Sequence, residues 1–208
     1  MSGRFITLEG GEGVGKSTQA RRLAEALRAR GLDVVLTREP GGSPGAETIR
    51  SLLLEGQGDR WSAGAEALLF AAARSDHVRQ TIRPAVARGA WVVCDRFLDS
   101  SRAYQGSAGG LGDESVLAMH RVGSAGYLPD RTLVLDLADA EAAARAHARD
   151  SGAPDRIGGR EREFHRAVTG AFRDIVVGEP ERVRLIDAAG PEDEVTERLL
   201  AALADLLP

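Results

Sequence analysis

Residues 10–17 read GGEGVGKS, which fits the pattern G-x-x-x-x-G-K-[ST]. The apolar run Phe5–Glu9 precedes it and an amphipathic stretch starting near Lys16 follows it, so the motif joins a strand to a helix. Gly10, Gly11, Gly13 and Gly15, with Glu12 and Val14 between them, let the backbone curl until its N–H groups converge on one point. An anion there is held by those donors and by the positive end of the helix that follows. Lys16 is spaced to reach the β- and γ-phosphates of ATP and the Ser17 hydroxyl to bind Mg²⁺, with Thr18 completing the nucleotide-binding run.

The rest of the chain repeats the strand–helix alternation. Further short apolar runs at Asp33–Thr37, Trp91–Asp95, Thr132–Asp136 and Val183–Asp187 suit strands buried on both faces. Between them, helical spacing covers Ala46–Leu54, Ala63 to about Arg83, Asp113–Ser124, Ala140–Asp150, Arg160–Val177 and Glu192–Leu206. Gly31 is placed to end the first helix, and Pro84 to end the third. Such alternation predicts an α/β P-loop NTPase fold, a five-stranded parallel sheet flanked by helices, as one domain over 1–208. Ligands of such sheets bind at the carboxyl ends of the strands. Three of these runs end in aspartate, Asp95, Asp136 and Asp187. Any of them could support a metal beside Ser17, or simply cap a helix.

Composition narrows the function. The 208 residues carry a formal net charge of −4, so no broad basic field is available to gather nucleic acid, and a phosphate site must be assembled from a few arginines. No apolar run is long enough to span a membrane, and residues 1–8 lack the apolar core of a signal peptide. Cys94 is the single cysteine, which fits a reducing, cytoplasmic setting. A P-loop serves either a small-molecule kinase or a nucleotide switch. The base-reading string N-K-x-D of switch GTPases is absent, whereas Arg38 and Arg96 directly follow apolar strands. Arginine is planar and bidentate, suited to holding a second phosphate in line.

At this level the chain resembles bacterial thymidylate kinases. The matching strings are LEGGEGVGKST at 8–18, TREPGGSPGAETIR at 37–50, LLFAAARSDHV at 68–78, CDRF at 94–97, SSRAYQG at 100–106, PDRTLVLDL at 129–137 and DRI at 155–157. The resemblance implies transfer of the γ-phosphoryl group of ATP to dTMP, a homodimer, and a role for each matching residue. Arg38 and Arg96 hold the acceptor phosphate, and Asp95 lies near Lys16 and the metal. Phe70 stacks on thymine, although a lone phenylalanine in LLFAAA reads equally as core. Arg74, one turn later, donates to the thymine 4-carbonyl, where cytosine carries an opposing amino donor. Ser101 contacts the base edge, while Tyr104 and Gln105 wall the sugar. Glu12 approaches the 3′-hydroxyl or a metal-bound water.

No arginine lies within the P-loop, so the resemblance implies that a mobile lid near 140–160 supplies one. Arg145, Arg149, Arg156 and Arg160 fall there, balanced by Asp150, Asp155 and Glu161 in the alternative reading as a solvated helix. Arg156, within DRI and helped by Arg149, is expected to reach the ATP phosphates only when the site is closed, acting there with Lys16 and Arg96 on the transferring group. The nucleophile is a phosphate oxygen, already largely anionic at neutral pH, so no general base is required.

Overall fold

The computed structural model describes residues 3–55, 60–150 and 156–208, leaving aside the side chains of Arg149 and Asp150. Strands β1 (Arg4–Glu9), β2 (Val34–Arg38), β3 (Trp91–Asp95), β4 (Arg131–Asp136) and β5 (Val183–Asp187) form one sheet in the order β2-β3-β1-β4-β5. Every pairing is parallel, with Ile6 opposite Val93 on one side and Arg131 on the other. Each strand lies within about a residue of its expected run.

Alternation along the strands divides the core. Ile6, Leu8, Val93, Leu133 and Leu135 face one layer, where Leu23 and Leu27 of α1 (Lys16–Ala29) and Leu199 of α9 (Glu192–Ala201) cover them. Phe5, Val92 and Cys94 face the other, packed with Phe97 and Val116. Both faces are therefore dry, which explains the continuous apolar runs. Gly31, at φ 82°, closes α1 as expected, with its N–H on the Arg28 carbonyl at 2.8 Å.

Helices α2 (Pro44–Leu54), α3 (Ala63–His77), α6 (Asp113–Ser124), α7 (Asp139–Asp150) and α8 (Arg162–Gly178) match the periodic stretches. Two features differ from expectation. Pro84 does not end the third helix: a π turn at Val78–Ile82 leads into α4 (Arg83–Ala87), where Pro84 occupies the first turn. A missing N–H is harmless in a first turn, so the wider turn lets the helix pass through. The second feature is α5 (Leu98–Ser101), extended by a π-helical stretch at Arg102–Ala108. The stretch LDSSRAYQGSA has no apolar period to signal a helix; tertiary contacts hold it.

Chief among those contacts are those of Asp99, a fully buried residue of α5. Arg182 donates to both its oxygens at 2.7 and 2.9 Å, Arg102 to one at 3.0 Å, and Thr132 of β4 at 3.1 Å. Burial opposes the charge on Asp99, yet the Arg182 and Arg102 guanidiniums prevail and hold its carboxyl below the usual range. Replacing Asp99 with alanine would leave two cations without their shared partner. Asp99→Ala is expected to lower the unfolding free energy by about 3–5 kcal/mol in urea titrations at pH 7. A loss under ~1 kcal/mol would mean that the arginines find other partners.

Candidate active site

A cavity of about 880 Å³ opens at the carboxyl ends of the central strands. It runs from Ala188, Gly190 and Pro191, which follow β5, past the phosphate loop to Phe70 and Arg74 on α3. Loop residues Glu12 to Thr18 border it, as does every residue expected on the acceptor side, from Arg38 to Gln105. Gly10 and Gly11 border a smaller cavity behind the loop.

The loop curls as its glycines require. Gly13 and Gly15 take φ 76° and 93°, in the left-handed region, and α1 begins directly after them. A Cβ on Gly13 would strike the Ala142 carbonyl oxygen, so α7 lies against the loop. Lys16 is buried with its ammonium on the Gly11 carbonyl. Burial and then the nearby Arg96 charge lower its pKa to about 8. Ser17 donates to Asp95 at 2.5 Å. Of the other strand-end aspartates, Asp136 accepts from Arg173 at 3.0 Å and Asp187 from the Ala189 N–H at 3.0 Å. Asp95 is thus the one joined to the loop hydroxyl.

Arg96 takes φ 71°, a left-handed conformation rare for a residue with a side chain. Its guanidinium donates to the Gly10 carbonyl at 3.0 Å, Ser100 at 3.0 Å, Glu12 at 2.6 Å and Tyr104 at 3.2 Å, and it lies 5.1 Å from the Tyr104 ring centre. Tyr104 in turn donates to Glu12 at 3.1 Å. The turn rests on Glu9, which accepts from the Phe97 N–H at 2.8 Å and from Ser100 at 2.5 Å. Glu9 is fully buried, and burial followed by the Asp99 charge raises its pKa to about 7. Sequence reading did not single out Glu9; its only signal was a carboxylate ending an apolar strand.

On the acceptor side, Arg74 is 3% exposed and donates to Glu39 at 2.8 Å, Ser101 at 2.8 Å and the Phe97 carbonyl at 3.1 Å. Phe70, one turn earlier, is half-buried at the cavity wall rather than sunk in the core. Arg38 is half-exposed and paired with Glu47 at 3.1 Å. Arg50, not anticipated, also borders the cavity and donates to the Pro40 carbonyl at 2.6 Å.

The lid expectation concerns the closed site; in the present arrangement its best-matched arginine is engaged elsewhere. Arg156 is buried, donating to Glu66 of α3 at 2.5 Å and to the Leu53 carbonyl at 2.9 Å. Arg160 shares the same carboxylate at 2.7 Å, and Gln105 donates to it at 3.0 Å. Arg156 therefore braces the wall behind Phe70 in this arrangement. The reason is electrostatic: Glu66 is 2% exposed and needs cationic partners there. The Arg149 side chain and Asp155 lie outside the described residues. Among the described side chains of this stretch, Arg145 is the arginine that borders the large cavity, held by Glu141 at 2.6 Å.

The sequence and the fold are similar to those of known proteins. A sequence model of the family described as Thymidylate kinase matches residues 8–199. The chain is 66% identical to a thymidylate kinase of Rhizorhabdus wittichii, over 100% of both chains. It is 51% identical to one of Bradyrhizobium diazoefficiens, over 99% of this chain and 91% of that one. The crystal structure of thymidylate kinase from Ehrlichia chaffeensis superposes with a TM-score of 0.78 at 32% identity, covering 98% of this chain and 99% of that one.

Glu9 supplies a stability test. A carboxyl whose folded pKa is about 7, against an ordinary value of 4.5, favours the fold fully below 4.5 and loses that contribution as pH rises through 7. Wild-type stability should fall across this window by something on the order of 2–3 kcal/mol, and Glu9→Gln should flatten the decline. Urea unfolding at pH 5 and pH 8 measures both; parallel curves for the two proteins would contradict the assignment.

Proposed function

The chain belongs to the thymidylate kinase family, and from that premise we propose how its residues carry out the reaction. The enzyme transfers the γ-phosphoryl group of ATP to dTMP, giving ADP and dTDP. The observation that carries the residue assignment is Arg96, whose one guanidinium touches both the donor loop at Gly10 and Glu12 and the acceptor wall at Ser100 and Tyr104.

The loop N–H groups and the α1 N-terminus bind the donor phosphates, and Lys16 lies between them and the acceptor. Arg96 and Arg38 hold the dTMP phosphate, exchanging contacts with Glu12 and Glu47 for contacts with substrate oxygens. Phe70 stacks on thymine and Arg74 donates to its 4-carbonyl. Ser101, which accepts from Arg74, lies next to the base edge. Tyr104 underlies the sugar and leaves no room for a 2′-hydroxyl, with Gln105 behind it. Glu12 is placed for the 3′-hydroxyl. Catalysis rests on alignment of two phosphates and on neutralising charge as the group transfers.

Mg²⁺ fits the donor set. Ser17 and Asp95 present two hard oxygens 2.5 Å apart, and a small cation that keeps several waters takes its remaining ligands from phosphates. The ion would neutralise charge on the β- and γ-phosphates. Arg145 takes the part expected of the lid cation, with Arg149 beside it in the same helix, and Arg156 acts as a brace. The exposed Leu68 of α3 and Val122 of α6, 60% and 89% accessible, support a homodimer through these helices. The lone buried thiol of Cys94 suits a cytoplasmic setting. No helix among the described residues is long and apolar enough to cross a membrane. We assign 1–208 to one functional unit with its lid near 140–160.

A coupled ADP-release assay over a panel of nucleoside monophosphates should select dTMP. Lys16→Ala should lower kcat by about 10²–10³ with an unchanged circular dichroism spectrum. Wild-type turnover in that folded variant would remove Lys16 from the chemistry.

The two lid arginines separate by kinetics. Arg145→Ala should lower kcat ~10-fold or more while KM for dTMP stays near wild type, as for a contact made in the transition state. Arg156→Ala should chiefly lower thermal stability and raise KM for dTMP, because it frees Glu66 beside the base pocket. If Arg156→Ala instead matches the kcat pattern expected of Arg145→Ala, the original lid expectation stands.

A further inference from the structure

A guanidinium carries five N–H donors in a rigid fork. In Arg74, the Nε proton goes to Glu39 at 2.8 Å, and Nη2 serves both the Phe97 carbonyl at 3.1 Å and Ser101 at 2.8 Å. The Phe97 ring lies 5.3 Å from the guanidinium carbon. The group is pinned along one edge and at one tip. Among the described residues nothing engages Nη1, and the residue borders the cavity.

Glu39 is itself held. It is 6% exposed, and its second oxygen contacts Nδ1 of His77 at 3.0 Å. Nε2 of His77, a fully buried residue, lies 2.8 Å from the Thr37 hydroxyl. Gly42, at φ 83°, backs onto this pair: a Cβ there would strike both Nε2 and the Thr37 oxygen. A carboxylate oxygen accepts, so the His77 ring donates from Nδ1 to Glu39 and pairs through Nε2 with the Thr37 hydroxyl, which can donate or accept.

We propose that Glu39 and His77 are specificity-determining positioning residues, which aim Nη1 of Arg74 at the 4-position of the acceptor base and prevent the guanidinium from turning away. The inference rests on the reading of Arg74 as the base-reading residue. A donor free to swing would discriminate weakly, because it could withdraw from the 4-amino group of cytosine. A donor locked from behind meets that amino group with an unsatisfied N–H on each side, and that penalty separates the substrates. The geometry also explains why TREPGG carries a glutamate directly after the phosphate-binding arginine. Arg38 points outward at the end of β2, and the next residue turns inward to hold Arg74.

The test is the ratio of kcat/KM for dTMP to that for dCMP, in which any loss of folded enzyme cancels. Arg74→Ala should collapse the ratio. Glu39→Gln, which keeps the shape but removes the charge, should lower it about tenfold or more, mainly through KM for dTMP. His77→Ala should lower it several-fold, and His77→Asn, which keeps a donor near the Nδ1 position, should restore most of the loss. If Arg74→Ala collapses the ratio while Glu39→Gln and His77→Ala leave it at wild type, the positioning role is overturned and Arg74 keeps its own. If Arg74→Ala leaves the ratio unchanged, the reading of Arg74 fails and this inference falls with it.

Discussion

The site depends on a backbone turn that a residue with a side chain resists. Arg96 stands at φ 71°, a conformation that costs roughly 1–2 kcal/mol outside glycine. It is held there from two sides. Its own N–H bonds the Leu8 carbonyl at 2.9 Å, and the next N–H, of Phe97, bonds Glu9. Both partners lie on β1, the central strand that also leads into the phosphate loop. The same strand thus fixes the phosphate loop directly and Arg96 through two hydrogen bonds. With Arg96 in the acceptor role proposed above, any shift of β1 against β3 would move the two phosphate-binding groups relative to one another, and in-line transfer tolerates little such error.

Three buried carboxylates extend this logic outward, each paired with arginine. Asp99 roots α5 and so carries Ser100, Ser101 and Tyr104 to the cavity. Glu39 holds Arg74. Glu66 ties Arg156 and Arg160 to the helix that bears Phe70. Buried ion pairs of this kind add little net stability, since desolvation of both charges offsets their attraction. Their consequence is orientation: a planar guanidinium bound along two edges has one pose, which a lysine would not share. The wall of the acceptor pocket therefore rests on carboxylates whose oxygens are taken up by arginines.

The stretch around 145–160 distributes its arginines between two duties. Arg156 and Arg160 serve Glu66, a carboxylate too deeply buried to remain unpaired. Among the described side chains of this stretch, Arg145 is the arginine that borders the large cavity. Its placement follows from α7 packing over Gly13, where the absence of a side chain allows contact with the Ala142 carbonyl.

The sequence by itself determined the parts that contiguous residues encode. Glycines at four positions of GGEGVGKS dictate the phosphate loop, apolar runs buried on both faces mark the five parallel strands, and Gly31 stops the first helix. The strings that contain Arg38, Arg74 and Arg96 also single these residues out, and all three border the large cavity. The tertiary structure alone decided which strand-end aspartate meets Ser17, that Pro84 sits inside a continuing helix, and which carboxylate holds each arginine. Glu39 lies 35 residues from Arg74, and Glu66 lies 90 from Arg156. A backbone turn is fixed by the residues within it. The partner of a buried charge is fixed by which elements pack side by side, and no local pattern carries that information.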